Sequence, residues 1–128
     1  CSDCHNPHGS TGPSQVKMNT INETCHQCHA EKRGPFLFEH QPVVENCAAC
    51  HAPHGSNLAP MMISRSPFLC QSCHDGPHAS ESPAGRQAAG NQGGLVGSPS
   101  SNVTGRGCLN CHSQIHGSNS PSGGYFQR

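Results

Sequence analysis

The chain of 128 residues has the length of one domain, and its seven basic residues balance seven acidic residues. Only seventeen of the 128 residues are Val, Ile, Leu or Phe. This share of the chain is below the ~20% expected for an ordinary hydrophobic core. No apolar run approaches the ~20 residues of a transmembrane helix, and the absence of a basic excess argues against binding to nucleic acid.

The protein must obtain its core from something other than aliphatic side chains. Fifteen glycines and eleven prolines favour turns over long helices or strands. The low net charge is nevertheless unlike that of a disordered chain. Ten cysteines and eleven histidines are the residues able to recruit a metal or a cofactor, and their arrangement predicts which one.

Every cysteine belongs to a Cys-x-x-Cys pair that is followed at once by histidine. We number these five units in chain order: Cys1–His5, Cys25–His29, Cys47–His51, Cys70–His74 and Cys108–His112. Zinc ribbons place no constraint on the residue after the second cysteine, whereas Cys-x-x-Cys-His is the attachment motif of c-type haem. The pattern predicts five covalently attached c-type haems, with zinc sites or disulfides as the alternatives.

Each unit is expected to hold its haem in the same way, through two thioether bonds and one iron ligand. The thioether-forming residues are Cys1, Cys4, Cys25, Cys28, Cys47, Cys50, Cys70, Cys73, Cys108 and Cys111. The short turn of each unit points its histidine at the iron as the proximal ligand. The proximal ligands are His5, His29, His51, His74 and His112.

The fold class expected from this pattern is irregular: mostly coil with short α-helices over the units, around a core of five packed haems. The first four units begin 22–24 residues apart, and the fifth begins 38 residues after the fourth. The longer interval contains a Gly-, Ser- and Pro-rich segment, 79–107, which we interpret as a surface loop or a linker between haems four and five. Residues 1–128 are expected to form a single pentahaem domain.

Six histidines remain once the proximal ligands are assigned: His8, His26, His40, His54, His78 and His116. Four of them lie three or four residues after a proximal histidine, too close in sequence to reach the opposite face of the same haem. Three residues span at most about 10 Å, so such a histidine would bind the iron of a neighbouring haem. A glycine follows three of the six and permits a left-handed turn there: Gly9, Gly55 and Gly117.

His40 is the expected fifth distal ligand. It lies on a flexible segment beside Phe36 and Phe38, which can pack on a porphyrin face. His26 lies between the two cysteines of unit two, where the tether restricts its reach, and we interpret it as a spare. The distal ligands are therefore His8, His40, His54, His78 and His116.

Three methionines are alternative iron ligands, and a methionine would raise the potential of its haem: Met18, Met61 and Met62. The histidines outnumber the positions that the irons offer, so the methionines are not needed. With every iron bound by two histidines, no position is open to a substrate, and we expect electron transfer rather than catalysis.

Two stretches, ETCHQCHAEKRGPFLFEHQPVVENCAACHAPHGSN and the tail GRGCLNCHSQIHGSNSPSGGYFQR, resemble the decahaem periplasmic cytochromes of the MtrA/DmsE type. The EKRGPF and IHGSN elements are more specific than Cys-x-x-Cys-His alone. The chain resembles the C-terminal five-haem half of these ten-haem proteins. The resemblance implies bis-histidine ligation, supports the distal set given above, and implies passage of electrons from the periplasm to the cell exterior through an outer-membrane β-barrel.

The favoured function is an electron relay in an outer-membrane conduit for extracellular electron transfer. The expected partners are redox partner cytochromes, an outer-membrane β-barrel porin and a cell-surface multihaem cytochrome. The expected location is periplasmic, within an outer-membrane complex, or extracellular. The alternatives are a subunit of an extracellular filament formed by head-to-tail self-assembly, and a soluble periplasmic electron shuttle or terminal reductase.

Overall fold

Coil and turns make up most of the protein, whose computed structural model describes residues 1–66, 68–74, 107–121 and 123–127. Three α-helices occur in this part of the chain: α1 (Ile21–Cys25), α2 (Gln41–Glu45) and α3 (Phe68–Gln71). Single turns of 3-10 helix cover Pro13–Gln15, Ala30–Lys32, Cys47–Ala49, Cys108–Asn110 and Gly123–Tyr125. The irregular fold class is therefore confirmed.

Short helices lie at the start of units two and three, as the sequence predicts. Helix α1 begins with a capping box, in which the Thr20 hydroxyl accepts from the backbone N–H of Glu23 while the Glu23 carboxylate accepts from the N–H of Thr20. It ends at Cys25, the first residue of unit two. Helix α2 begins directly after His40 and carries Pro42 in its first turn, where a missing N–H costs nothing.

No sheet forms among the described residues, and three isolated antiparallel bridges take its place: His5 with Val16, Phe38 with Ser118, and His51 with Met62. The first and third have the same form. In unit one, the Cys4 carbonyl accepts from the N–H of Lys17 at 2.8 Å, and in unit three the Cys50 carbonyl accepts from the N–H of Ile63 at 3.0 Å. Units one and three are thus closed into matching loops.

The core of the polypeptide is nearly empty of aliphatic side chains. Val16, at 7% exposure, is the single buried apolar residue in the described part of the chain, whereas Leu37 remains 78% exposed. The buried polar residues are Asn22, Thr24 and Ser118. This distribution agrees with a chain whose apolar interior comes from elsewhere.

Asn22 ties helix α1 to the entry of unit three. Its amide nitrogen donates to the carbonyls of Val43 and Val44 at 2.8 and 2.9 Å. Its amide oxygen accepts from the backbone N–H of Cys47 at 2.7 Å. A buried amide that satisfies three backbone groups fixes the spacing of units two and three.

His78 and residues 79–106 of the 79–107 segment lie outside the described residues. Among the residues that are described, no helix is both long enough and apolar enough to cross a membrane.

Candidate functional site

Each of the five units adopts the same single turn. The backbone N–H of its histidine donates to the carbonyl of its first cysteine, at 2.9–3.0 Å in all five. Residues three apart on such a turn are neighbours on one face. The two thiols of a unit therefore lie together beside its histidine, which suits attachment of one flat group by two bonds.

The ten cysteines all lie in the described part of the chain, and none forms a disulfide. Burial and the neighbouring thiol of Cys25 raise the pKa of the free Cys47 thiol to about 11. Burial and the thiol of Cys108 likewise raise the pKa of Cys70. These contacts place unit two against unit three and unit four against unit five.

Units three and four are related by an electrostatic interaction between thiols. The pKa of Cys50 is raised by burial and by the charge of Cys73. Within the described residues, no group of three or more Cys, His, Asp or Glu side chains is arranged to hold a metal ion. In the described residues, the three thiol interactions named above each join successive units, with one thiol from each.

Three of the unit histidines are oriented by a backbone carbonyl. Nδ1 of His5 bonds the carbonyl of Ser14 at 2.9 Å, and Nδ1 of His51 bonds the carbonyl of Pro60 at 3.0 Å. Nδ1 of His112 bonds the carbonyl of Tyr125 at 2.5 Å. A carbonyl can only accept, so Nδ1 carries the proton and Nε2 is left free, which is the usual arrangement of a metal-binding histidine.

The carbonyls that orient these histidines were missed by sequence reasoning. In all three cases the residue after the acceptor has a positive φ and is not glycine: Gln15 (58°), Met61 (57°) and Phe126 (54°). A left-handed residue turns the chain sharply and presents the preceding carbonyl to the ring. Because such residues carry no glycine signal, the sequence pattern offered nothing by which to find them.

The histidine rings form three stacked pairs, and each pair joins two different parts of the chain. The ring centres of His5 and His54 are 5.9 Å apart, with 21° between the ring planes. Those of His51 and His116 are 6.2 Å apart, with 12° between the planes. The third pair, His40 and His74, has a separation of 5.9 Å and an angle of 19°.

The spacing of these pairs fits a metal held between the rings. An imidazole nitrogen binds a metal at about 2.0 Å, so the centres of two rings on opposite sides of one metal lie about 6 Å apart. Every pair consists of one unit histidine and one histidine of the second set. The fit agrees with an iron bound by a proximal and a distal histidine.

The remaining predicted ligands have no stacked histidine partner in the described part of the structure. His8, His29 and His112 take part in no stacked pair within the described residues, and His78 lies outside them. The ring of His29 faces the carboxylate of Glu31, with Nδ1 3.8 Å from Oε1. His26 is likewise outside the stacked pairs, whereas His40 is inside one, which favours His40 over His26 as the ligand.

The surroundings of two second-set histidines lower their pKa. The pKa of His40 is lowered by burial and by His74, while the carbonyl of Ile115 acts in the opposite direction. The pKa of His116 is lowered by burial and then by Lys32 and neighbouring histidines. A lowered pKa favours the uncharged ring at neutral pH, and the uncharged ring is the form that binds a metal.

Comparison with known proteins identifies the family of the chain and a related protein. The family described as "Doubled CXXCH motif" matches residues 1–34 and 40–79. The whole chain is 55% identical, over 130 aligned residues, to a protein named Multiheme cytochrome MtrA from Shewanella baltica (strain OS185). The chain spans 38% of the length of that relative.

Proposed function

The chain belongs to the doubled CXXCH motif family and is a multihaem c-type cytochrome, and from this premise we propose that it relays electrons along five haems, each held between two histidines. The observation that carries the proposal is the set of three stacked ring pairs. Each pair contributes one histidine from a Cys-x-x-Cys-His unit and one from elsewhere in the chain.

The cysteines attach the haems. Each unit supplies two thiols on one face of a turn, which suits two thioether bonds to one macrocycle. Five units give five haems, and the ten cysteines are then all used. The exposed apolar side chains of the described residues, such as Leu37 and Phe68, are available to cover the haem faces.

The stacked pairs support a ligand assignment for three irons. When haem is attached, His5 and His54 would hold the iron of unit one. His51 and His116 would hold that of unit three, and the third pair would hold that of unit four. The irons of units two and five then take the two distal histidines that are left, His8 and His78. His26 stays unassigned.

Hydrogen bonds hold the proximal rings in place. The Nδ1–H groups of His5, His51 and His112 donate to backbone carbonyls, which fixes the tautomer and makes Nε2 a better electron donor to the iron. A bound c-type haem supplies a one-electron iron couple. Histidine on both sides lacks the methionine that raises the potential of other cytochromes c, so the potentials are low.

The order of the relay follows from which units touch. Interactions between thiols support the sequence of neighbours two–three, three–four and four–five. His51 and His54, only three residues apart, belong to the irons of units three and one, which makes these two haems neighbours as well. Since two histidines occupy each iron, the protein acts as a relay rather than as an enzyme.

The setting of the relay rests on the relative. We place the protein in the periplasm or in an outer-membrane complex, with redox partner cytochromes on either side. A β-barrel porin and a cell-surface multihaem cytochrome are the proposed partners of that complex. Extracellular acceptors are the proposed destination of the electrons.

The first test is the intact mass of residues 1–128, produced with haem attachment and then denatured. The expected mass is that of the chain plus five haems, and a variant with Cys108→Ser and Cys111→Ser is expected to lose one of them. A mass with no haem increment would overturn the proposal in favour of zinc or disulfides.

The second test is the ferric spectrum of the same preparation. Electron paramagnetic resonance is expected to show low-spin iron throughout, because every iron has two histidines. A high-spin signal that changes when a substrate is added would overturn the relay in favour of a reductase. Long polymers in electron micrographs would favour the filament.

A further inference from the structure

The two sequence elements that carry the family resemblance meet in space. Phe38 and Ser118 exchange both backbone hydrogen bonds, each at 2.9 Å. The N–H of Leu37 donates to the side-chain oxygen of Asn119 at 2.8 Å, across 82 positions in the sequence. Ser118 is only 2% exposed, whereas Leu37 on the other side of the contact is 78% exposed. We call residues 36–38 and 117–119 together the joint.

Gly117 makes the closest approach in the joint. Its φ is +141°, and a Cβ at this position would overlap the aromatic ring of Phe36, with the ring atom Cε2 at 2.8 Å. Real Cβ atoms do not approach other atoms so closely. Glycine at this position is therefore required twice, by the backbone conformation and by the ring that covers it.

The equivalent glycines of units one and three differ in this respect. Gly9 and Gly55 also follow a distal-set histidine and have φ values of +110° and +125°. A Cβ on either would meet no other described atom within 4 Å. The glycine of the same His-Gly-Ser sequence therefore has open space around its Cα at two places and is covered by an aromatic ring at the third.

The joint lies directly beside two histidines that belong to two different stacked pairs. His116 immediately precedes Gly117, and its ring stacks on His51. His40 is two residues after Phe38, and its ring stacks on His74. Helix α2 begins immediately after His40, so the chain on the other side of this histidine is fixed as well.

We propose that the joint is a positioning device which holds His40 and His116 at once, so that a single contact sets the distal ligands of the haems of units four and three. The inference rests on the ligand assignment proposed above. Gly117 and Asn119 are its positioning residues, and the Phe36 ring covers Gly117. They touch neither iron, and they act through the histidines next to them.

A change at Gly117 should therefore perturb two haems together. A methyl group at this position pushes the Phe36 ring and the 117–119 segment apart, and both neighbouring histidines move with them. Gly55→Ala introduces the same backbone strain without the overlap, so it measures the effect of strain alone. It is expected to shift at most one haem, that of unit one, whose distal ligand is His54.

The test uses the haem-loaded full chain and follows two signatures of each iron: its low-spin ferric signal in electron paramagnetic resonance and its midpoint in a spectroelectrochemical titration. In Gly117→Ala, two of the five haems are expected to shift and three to stay. Phe36→Ala combined with Gly117→Ala removes the overlap and is expected to bring the two haems back towards their original values. A Gly117→Ala protein that matches Gly55→Ala, or that shifts one haem or all five, would overturn the inference.

A gentler pair of variants covers the case in which Gly117→Ala does not mature. Asn119→Ala removes the acceptor of the Leu37 N–H and is expected to shift the same two haems by less. Asn119→Asp keeps an acceptor at the same place and is expected to match the wild-type protein. Equal spectra for Asn119→Ala and Asn119→Asp would count against the joint. A wild-type spectrum that lacks low-spin iron would instead overturn the ligand assignment, and the two failures are thereby distinguished.

Discussion

Units three and five reach the same local geometry by different routes. In unit three, the carbonyl that orients His51 comes from Pro60, nine residues further on, and a Cβ at Gly55 would meet no other described atom within 4 Å. In unit five, the carbonyl comes from Tyr125, thirteen residues on, and Gly117 is covered by the ring of Phe36 from the first third of the chain. One unit is shaped by its own sequence, and the other needs a distant partner.

The difference teaches which parts of such a chain are encoded locally. A nine-residue loop with a left-handed residue at a fixed place recurs in units one and three, and it needs only its own sequence. The contact between units is made instead by few residues, notably Asn22 and the joint. Stability and relative placement of the haems should therefore respond to different substitutions.

The largest expected effect is the loss of both the local loops and the contacts between units when the haems are absent. With one buried apolar side chain in the described residues, the haem-free chain has too little buried surface to offset its conformational entropy. Far-ultraviolet circular dichroism of chain produced without haem attachment should show coil with no cooperative melting. The matured protein is the control. A cooperative transition in the haem-free chain would contradict this prediction and would mean that the local loops fold by themselves.

The next largest effect is expected at Asn22, which ties units two and three. Asn22→Ala removes three hydrogen bonds at a site that is 8% exposed and leaves backbone groups unsatisfied. We expect a loss of about 2–4 kcal/mol in the free energy of unfolding, measured by denaturant titration of the haem absorbance. Asn57→Ala, at an exposed position, is the control and should change stability by less than about 0.5 kcal/mol. Equal losses in the two variants would show that this tie carries no stability.

A smaller effect should separate the two ways of placing a distal histidine. His40→Met next to the joint and His54→Met in the unit-three loop should each raise the midpoint potential of one haem, because methionine ligation favours the reduced iron. The expected rise is on the order of 0.1 V, or about 2 kcal/mol for one electron. Spectroelectrochemical titration should show a different haem moving in each variant. If no midpoint moved in either variant, the ligand assignment would be wrong.

The smallest effect is expected at Gln15, one of two left-handed non-glycine residues in the unit-one loop. Gln15 has φ of 58° and an exposed side chain. Gln15→Gly relieves a conformational penalty of about 1–2 kcal/mol but adds about 0.5–1 kcal/mol of chain entropy to the unfolded state, leaving a gain of about 0.5 kcal/mol. Gln15→Ala keeps the Cβ and the strain, and it should show no gain in the same unfolding titration. Glycine and alanine variants of equal stability would contradict this account.

Much of the local structure was predictable because each unit carries its own signal. The Cys-x-x-Cys-His spacing located all five turns, and the abundance of Gly and Pro predicted short helices in coil. The glycines after His8, His54 and His116 were expected to be left-handed, and they have φ values between +110° and +141°. The ligand roles of the histidines stay predictions, supported for six of them by the stacked pairs.

What the sequence did not predict depends on contacts across the chain. A histidine near unit three was expected to serve a different haem, but spacing could not indicate that His54 stacks on His5, two units earlier. The packing of Phe36 on Gly117 was invisible for the same reason, although the EKRGPF and IHGSN elements had both been recognised as specific. The orienting carbonyls of Ser14, Pro60 and Tyr125 belong to residue types that carry no motif.

The stacked pairs have a consequence for how such chains evolve. Each pair takes its two histidines from separate units or from a unit and a linker, so none of these three unit histidines is paired within its own unit. Deleting unit three would also take His54 away from His5 and leave His116 without its partner. We expect lineages of these proteins to gain and lose haems in blocks of several units. Because the units of a block depend on one another for their histidine pairs, the block is inherited as a whole.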